Sequence, residues 1–200
     1  MTRRANVARN SKETKIAVSL NLDGHGQTSV KTGIPFLDHM LTLLGTHGLC
    51  DLTVKAMGDL HIDRHHTNED VGLVLGQALD QALGERKGIV RMGWAYVPMD
   101  EALVRVALDI SGRPKLMLRD ARGPRAKALS SSTAYSWGDA EHFLESLARS
   151  AKITVHIDVL SGSDFHHTCE AAFKALGRAL EQATRLHPRV KGVPSSKGRL

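Results

Sequence analysis

The 200-residue sequence has few cysteines and few aromatic residues, and it has no long hydrophobic run. It contains only two cysteines, which excludes a disulfide-stapled fold and is typical of a protein in a reducing compartment. No apolar segment approaches the roughly 20 residues that a membrane-spanning helix needs, and no charged and then apolar leader opens the chain. We therefore expect a soluble, cytoplasmic protein without a membrane partner.

The charge of the chain is positive, with 27 Lys and Arg against 21 Asp and Glu. A basic protein can bind nucleic acid or phosphate. Only 4% of the residues are aromatic, so there is little material for stacking bases, and we expect no nucleic-acid partner. Many basic residues fall in residues 1–12, which we expect to be flexible, or in the C-terminal tail. A small anionic ligand explains this charge more simply.

A short pattern, His-His-Thr-x-Glu, occurs twice, at residues 65–69 and 166–170. On a helix, residues four apart share a face, so the first His and the Glu of each copy can bind the same metal ion. The second His points roughly 100° away, because a helical turn has about 3.6 residues. Each copy therefore offers a His/Glu pair in one direction and a lone His in another, which suits two metal ions better than one.

The repeated pattern belongs to a longer internal duplication. When residues 65–83 are laid over residues 166–184, several further Leu, Gly, Gln and Ala positions coincide. The predicted elements have the same order in each half. We predict an α+β fold of two tandem β-β-α-β-α repeats, residues 1–87 and 88–200, with the helices on one face of each four-stranded sheet. The two halves should pack as one compact unit.

Local patterns predict the first elements of each repeat. Residues 14–22 alternate apolar and polar, and residues 23–26 are typical of a turn, so we expect a hairpin with the strand that follows. Pro35 should begin a helix that ends at Gly48. Thr67 and Thr168 should cap the two helices that carry the repeated pattern. The segment 120–138 is rich in Ser, Gly and basic residues and is predicted to be a loop.

Six histidines and two glutamates form the candidate metal-ligand set, since His39 and His142 occupy equivalent places in the two halves and join the repeated pattern. The set divides evenly into two sites of three His and one Glu. Such nitrogen and oxygen ligands suit Mn, Fe, Zn, Co or Ni. Four protein ligands on a six-coordinate metal leave positions for water or substrate, as in a catalytic site. An inherited helix-capping device would explain the Thr and Glu of the pattern but not the paired histidines.

Several longer motifs resemble those of the imidazoleglycerol-phosphate dehydratase family of histidine biosynthesis, and they lie at residues 32–41, 65–70, 98–102, 111–114 and 194–198. The similarity runs from about Glu13 to the last residue. It implies conversion of D-erythro-imidazoleglycerol phosphate to imidazole-acetol phosphate plus water, with two Mn²⁺ per active site. It also implies a hollow homo-24-mer whose active sites are shared between subunits.

The resemblance further implies roles for individual residues. One manganese would be held by His39, His66, His166 and Glu170, and the other by His65, Glu69, His142 and His167. The substrate would contact Glu13, His39, His47, His65, Glu69 and Gly198, and its phosphate would be bound by Arg91, Arg113, Lys174, Ser196 and Lys197. Proton transfer would fall to Glu170, Glu13 and His47. Two metal ions at the imidazole would stabilise its deprotonated form, which can expel the side-chain hydroxyl through a diazafulvene-like intermediate.

Two rival functions use the same ligands. A di-metal hydrolase would cleave a phosphate ester, although such sites usually rely on several carboxylates and a bridging Asp or Glu. A shell-forming metal-binding protein would need the ligands but not Arg113 or Lys197.

Two residues also depart from the family pattern. Arg64 places a cation beside His65, where it either weakens metal binding or points to solvent, and Trp94 stands where His is frequent.

Overall fold

The computed structural model describes residues 3–121 and 134–200. In this part of the chain, eight strands and four helices follow one another. They are β1 (Arg4–Asn10), β2 (Thr14–Asn21), β3 (Thr28–Lys31), α1 (Pro35–His47), β4 (Asp51–Gly58), α2 (His65–Leu83), β5 (Met92–Met99), β6 (Ala102–Asp109), β7 (Lys115–Asp120), α3 (Trp137–Ala151), β8 (Thr154–Ser161) and α4 (Phe165–Thr184). Most of the predicted loop, residues 122–133, lies outside the described residues.

The two halves have the same sheet topology. The first sheet has the strand order β1-β2-β4-β3 and the second has β5-β6-β8-β7. In both sheets the last pair is parallel, β3 with β4 and β7 with β8, and the other pairs are antiparallel. The prediction of an α+β fold made of two tandem repeats, each with a four-stranded sheet, is confirmed. Each repeat has the order β-β-β-α-β-α, with one more strand before its first helix than predicted.

One face of each sheet is covered by helices. Along β2, Ile16, Val18 and Leu20 are buried, whereas Lys15 and Ala17 are exposed. Helix α2 lies on the first sheet and α4 on the second, while α2 also packs against α3 and α1 against α4. One hydrophobic core consequently contains side chains from both halves. Within residues 3–121 and 134–200, no helix combines the length and the apolar character that a bilayer crossing requires.

The expected hairpin after β2 is wrong, and so is the flexibility expected for Arg4–Asn10. That segment forms β1, which pairs with β2 along its whole length. The turn after β2 instead leads to β3, which pairs with β4. The Asp51 carboxylate accepts hydrogen bonds from the backbone N–H groups of His25 and Gln27. This contact ties the turn to the beginning of β4, so the chain does not return along β2.

The two helices that carry the repeated pattern begin earlier than predicted, and the threonines do not cap them. Helix α2 begins at His65, and the Thr67 hydroxyl is buried with no hydrogen-bond partner among the described residues. Helix α4 begins at Phe165 and is capped by Asp164, whose side chain accepts from His167 N. Both histidines of each copy therefore belong to the first helical turn, which fixes the directions of their side chains.

Two equivalent glycines let helices of opposite halves approach closely. A Cβ atom on Gly76 of α2 would lie 2.6 Å from the Leu147 carbonyl oxygen of α3. A Cβ atom on Gly177 of α4 would lie 2.6 Å from the Leu44 carbonyl oxygen of α1. Gly76 and Gly177 coincide when the two repeats are superposed in sequence. The same tight contact is therefore built twice, between α2 and α3 and between α1 and α4.

Candidate metal centre

The first cluster of candidate ligands forms where α1 meets α4. Glu170 Oε1 accepts hydrogen bonds from His39 Nε2 at 2.7 Å and from His166 Nε2 at 2.8 Å. The ligand atoms of these three residues all lie within 4.8 Å of one another. His166 and Glu170 are one helical turn apart on α4, as the spacing predicts, and His39 comes from the other half of the chain.

The carboxylate of Glu170 is buried and held by three donors. Its second oxygen lies 2.6 Å from Lys174 Nζ, one turn further along α4. Burial alone would raise the pKa of Glu170, but the hydrogen bonds from Lys174, His39 and His166 lower it to about 2. Glu170 is therefore an ionised acceptor with a fixed orientation.

The second cluster forms where α2 meets α3, and it contains His65, Glu69 and His142. The His65 and His142 rings are stacked, with their centroids 4.3 Å apart. His142 Nδ1 is buried and has no hydrogen-bond partner within the described parts of the chain. Arg149 donates to Glu69 Oε1 at 3.1 Å, much as Lys174 does to Glu170. Each cluster thus pairs its glutamate with a cation from a helix.

Both clusters fit a divalent transition metal. Each offers two imidazoles and one carboxylate, a donor set suited to ions such as Mn, Fe or Zn. The unpartnered His142 Nδ1 is a buried polar atom of the kind that a bound ion would satisfy. Each cluster also draws on both halves of the chain, so the duplicated pattern does not form one site per half.

The remaining histidine of each copy lies outside both clusters. His66 Nδ1 lies 2.9 Å from Asp59 Oδ2, and His167 Nδ1 lies 2.8 Å from Glu101 Oε2. These carboxylates raise the pKa of both imidazoles. The structure does not bring His66 or His167 to the cluster predicted to use it within one chain. Sequence spacing gave no sign of Asp59, although Glu101 belongs to the motif at residues 98–102.

Of the predicted proton-transfer residues, Glu170 belongs to the first cluster, whereas Glu13 and His47 lie outside it. Glu13 is exposed in the turn between β1 and β2, and its charge contributes to the raised pKa of His66. His47 is the last residue of α1. Burial and the charges of Lys174 and Arg178 lower the pKa of His47. His47 is thus a neutral imidazole at neutral pH, two turns from His39 on the same helix.

An open groove of about 810 Å³ runs beside the first cluster. His39 and His166 form part of its wall, and apolar and aromatic side chains form much of the rest. Phe36 and Tyr135 stack there with ring centroids 5.2 Å apart. The His39 and His166 imidazoles are therefore open to solvent on this side.

The predicted phosphate ligands do not lie close together in the folded chain. Lys174 lies beside Glu170, whereas Arg113, Ser196, Lys197 and Gly198 are exposed near the other end of the molecule. The Arg91 N–H donates to the Ala183 carbonyl near the C-terminal end of α4. At about 1.5 Å per residue, His166 and Ala183 are roughly 26 Å apart along that helix.

Arg91 is bound to other parts of the same chain. Its Nε and Nη2 donate to the two oxygens of Asp109 at 2.7 and 2.9 Å. Its Nη1 donates to the Pro194 carbonyl at 2.8 Å. Arg91 therefore anchors the C-terminal tail that carries Ser196 and Lys197 against β6.

The two departures from the family pattern have structural explanations. Arg64 Nη1 donates to Asp139 Oδ2 at 3.0 Å, at the beginning of α3. Its charge is therefore paired with Asp139, while the side chain stays 35% exposed. Trp94 is 60% exposed on the uncovered face of the second sheet, where its backbone N–H donates to Gln182.

The chain is similar to imidazoleglycerol-phosphate dehydratases over its full length. The family model of imidazoleglycerol-phosphate dehydratase (IGPD) matches residues 32–180. The protein of this name from Acetivibrio thermocellus is 53% identical over 200 residues, and that from Mycolicibacterium gilvum is 52% identical over 202 residues; each match covers 100% of both chains. The crystal structure of IGPD from Pyrococcus furiosus has a TM-score of 0.80 at 36% identity and covers 97% of this chain and 100% of that one. The structure from Staphylococcus aureus has a TM-score of 0.79 at 35% identity, with 92% and 99% covered.

Proposed function

Because this chain belongs to the imidazoleglycerol-phosphate dehydratase family, as its motifs predict, we propose that it is a metal-dependent hydro-lyase that converts D-erythro-imidazoleglycerol phosphate to imidazole-acetol phosphate and water. The observation that carries the metal dependence is the pair of His/His/Glu clusters, each built across the two halves. The substrate contains an imidazole with two ring nitrogens. Two metal sites of matching composition suit such a ring.

The proposed ligands are four for each of two Mn²⁺ ions. One ion would be held by His39, His66, His166 and Glu170, and the other by His65, Glu69, His142 and His167. When bound, the ions would supply Lewis acidity toward the ring nitrogens of the substrate. Three ligands of each set lie together in one chain, whereas His66 and His167 contact Asp59 and Glu101 and lie outside both clusters. Their separation from the clusters supports the proposal that the fourth ligand of each site comes from another subunit.

The position of the phosphate ligands supports the same arrangement. A substrate as small as a glycerol phosphate attached to an imidazole cannot bridge the roughly 26 Å between the ends of α4. Arg113, Ser196 and Lys197 of one subunit would therefore bind the phosphate of a substrate whose imidazole lies at the metal clusters of another. Guanidinium and ammonium groups suit a phosphate dianion because they make charge-assisted hydrogen bonds. We propose self-association into a homo-24-mer that builds these shared sites.

The chain's own residues would move the protons. Dehydration removes a proton from one carbon and expels hydroxide from its neighbour, and the enol that results becomes the ketone. His47 is neutral, which is the form that accepts a proton, and Glu13 is an exposed carboxylate near His66. Glu170 is ionised and held by three donors, so it fixes His39 and His166 and is also a candidate for proton transfer.

One assay tests the proposal against its rivals. Protein loaded with Mn²⁺ is incubated with imidazoleglycerol phosphate, and the ketone and free phosphate are followed together. Ketone without free phosphate is the expected result. Release of phosphate would identify a di-metal phosphate-ester hydrolase. Metal binding without either product would identify a metal-binding shell protein and overturn the proposal.

A further inference from the structure

Glu101 contacts a proposed metal ligand but has no part in the chemistry described above. It lies in the turn between β5 and β6, and its Oε2 accepts a hydrogen bond from His167 Nδ1 at 2.8 Å. A carboxylate only accepts hydrogen bonds when it is ionised, so the proton of the neutral imidazole must be on Nδ1. His167 Nε2 then carries the lone pair that a metal ion needs.

We propose that Glu101 is a positioning residue that fixes the tautomer and direction of His167, so that Nε2 can bind a divalent metal ion. Asp59 has the same relation to His66. The inference rests on the proposed function because His66 and His167 are metal ligands only there. A carboxylate behind a ligating histidine restricts the ring and selects the nitrogen that binds metal.

The two oxygens of Glu101 have separate tasks. Oε2 faces the imidazole, while Oε1 accepts from the backbone N–H groups of Ser163 at 2.9 Å and Asp164 at 2.8 Å. These two donors sit in the connection between β8 and α4. The side chain therefore joins two turns and has only one orientation that satisfies all its partners.

Asp59 is held less firmly. Its Oδ2 contacts His66 Nδ1, but its Oδ1 is buried with no hydrogen-bond partner in residues 3–121 or 134–200. An amide at residue 59 could therefore present its oxygen to the imidazole by a simple rotation. An amide at residue 101 cannot do so, because its NH₂ group would then face two backbone N–H donors.

The carboxylate that contacts the histidine comes from a different position in each half of the chain. Glu101 directly precedes β6, and its counterpart Glu13 directly precedes β2. In the first half, Asp59 occupies the contact with His66 Nδ1 instead. Because Asp59 makes this contact, Glu13 does not hold His66. This agrees with the proposed role of Glu13 in proton transfer.

Glu101→Gln and Asp59→Asn each remove one negative charge. Comparing them distinguishes control of the histidine tautomer from a general effect of charge. In Glu101→Gln the amide oxygen stays on the two backbone N–H groups, and the NH₂ group faces Nδ1. The proton must then move to Nε2, and we expect the affinity for Mn²⁺ at that site to fall about 10- to 100-fold. In Asp59→Asn the amide can rotate, so we expect the His66 tautomer to be unchanged and the affinity to change less than in Glu101→Gln.

Two measurements test these expectations on the full chain. Solid-state ¹⁵N NMR of the histidine-labelled, metal-free protein at alkaline pH gives the tautomers, and His167→Asn assigns the signal. Calorimetric titration with Mn²⁺ alone gives the affinity. The proposal is overturned if wild-type His167 carries its proton on Nε2, or if Glu101→Gln binds Mn²⁺ as the wild type does. Neither measurement uses turnover, so a failure of this proposal can be distinguished from a failure of the dehydration assay.

Discussion

His39 of α1 lies 2.7 Å from Glu170 of α4, although 131 residues separate them in the sequence. The contact exists only because α1 of the first half packs beside α4 of the second. Glu170 Oε1 also accepts from His166, so one oxygen fixes two imidazoles from different halves. This carboxylate is therefore the centre of the first cluster and the most informative position to change.

We expect Glu170→Gln to lower kcat by about 10²- to 10⁴-fold, the range for loss of a group that acts directly in catalysis. The neutral amide loses the charge that holds His39 and His166, and its NH₂ group would oppose Lys174 Nζ. The KM should change little, because the proposed phosphate ligands near Arg113 lie at the other end of the molecule. Steady-state kinetics and bound manganese per chain provide the measurement.

A carboxylate on the same helix supplies the control for this variant. Glu181 pairs with Arg185 near the C-terminal end of α4, far from the cluster. Glu181→Gln should therefore keep both turnover and manganese content. A Glu170→Gln enzyme with nearly wild-type kcat would contradict the role given to Glu170.

The equivalent glycines predict paired effects on stability and on metal binding. In Gly76→Ala and Gly177→Ala, the new methyl group would meet a carbonyl oxygen of the neighbouring helix at 2.6 Å. We expect each to lower the free energy of unfolding by about 1–3 kcal/mol, the usual cost of overpacking. Each should also weaken manganese binding at the cluster on its own helix pair. Thermal unfolding and metal titration check both effects.

Gly138 of α3 is the matched control, because a Cβ there would meet nothing closer than 3.6 Å. Gly138→Ala should raise stability slightly, by about 0.5–1 kcal/mol, since alanine favours the helix over glycine. Equal destabilisation by all three substitutions would show that the close helix contacts are not responsible.

Substitutions of the proposed phosphate ligands should weaken substrate binding without changing metal binding. Arg113→Ala removes a charged donor whose hydrogen bonds contribute about 1.5–3 kcal/mol each, so we expect KM to rise on the order of 10- to 100-fold. Its manganese content should equal that of the wild type. A large loss of metal in this variant would place Arg113 at the clusters, contrary to its position near Ser111.

The proposed sharing of sites between subunits predicts complementation. Glu170→Gln subunits keep an intact phosphate end, and Arg113→Ala subunits keep intact clusters. When the two impaired proteins are dissociated, mixed and reassembled, some sites should combine intact clusters from one subunit with intact phosphate ligands from another. We expect activity above the sum of the two separate variants. Activity equal to that sum would mean that each chain forms its own site.

The ion pairs on the second sheet predict an acid-dependent stability. Asp158 accepts from Arg105 at 2.7 Å and from Arg119 at 2.8 Å. Burial would raise the pKa of Asp158, but the two guanidinium groups hold it below its usual value. The contribution is present above the unfolded pKa of about 3.9 and disappears as pH falls through the lower folded pKa.

Asp158→Asn should therefore unfold more easily at neutral pH, by about 1–3 kcal/mol. The difference from the wild type should shrink as the solution is acidified through that range. Unfolding midpoints measured from neutral to acidic pH provide the test. A difference that stays constant with pH would assign the effect to packing and not to charge.

Local rules predicted the fold and much of the site because both depend on spacing along the chain. The helical period placed His166 with Glu170, and the repeat placed His39 and His142 in matching positions. The same rules could not predict contacts that depend on tertiary structure. Asp59 and Glu101 reach their histidines from turns, and the tie between Asp51 and His25 redirects β3.

The helix pairs α1 with α4 and α2 with α3 each join the two halves of the chain. This has a consequence for how the two halves could evolve. Two identical unfused halves related by a twofold axis would meet the same helix contacts and form two identical clusters. Because the two halves lie in one chain, a substitution can change one half without changing the other. The buried Asn68 and Cys169 at matching positions, and the different carboxylates behind His66 and His167, record that divergence. The matching helix contacts give two clusters of the same composition, and the differences between the halves give their residues separate tasks.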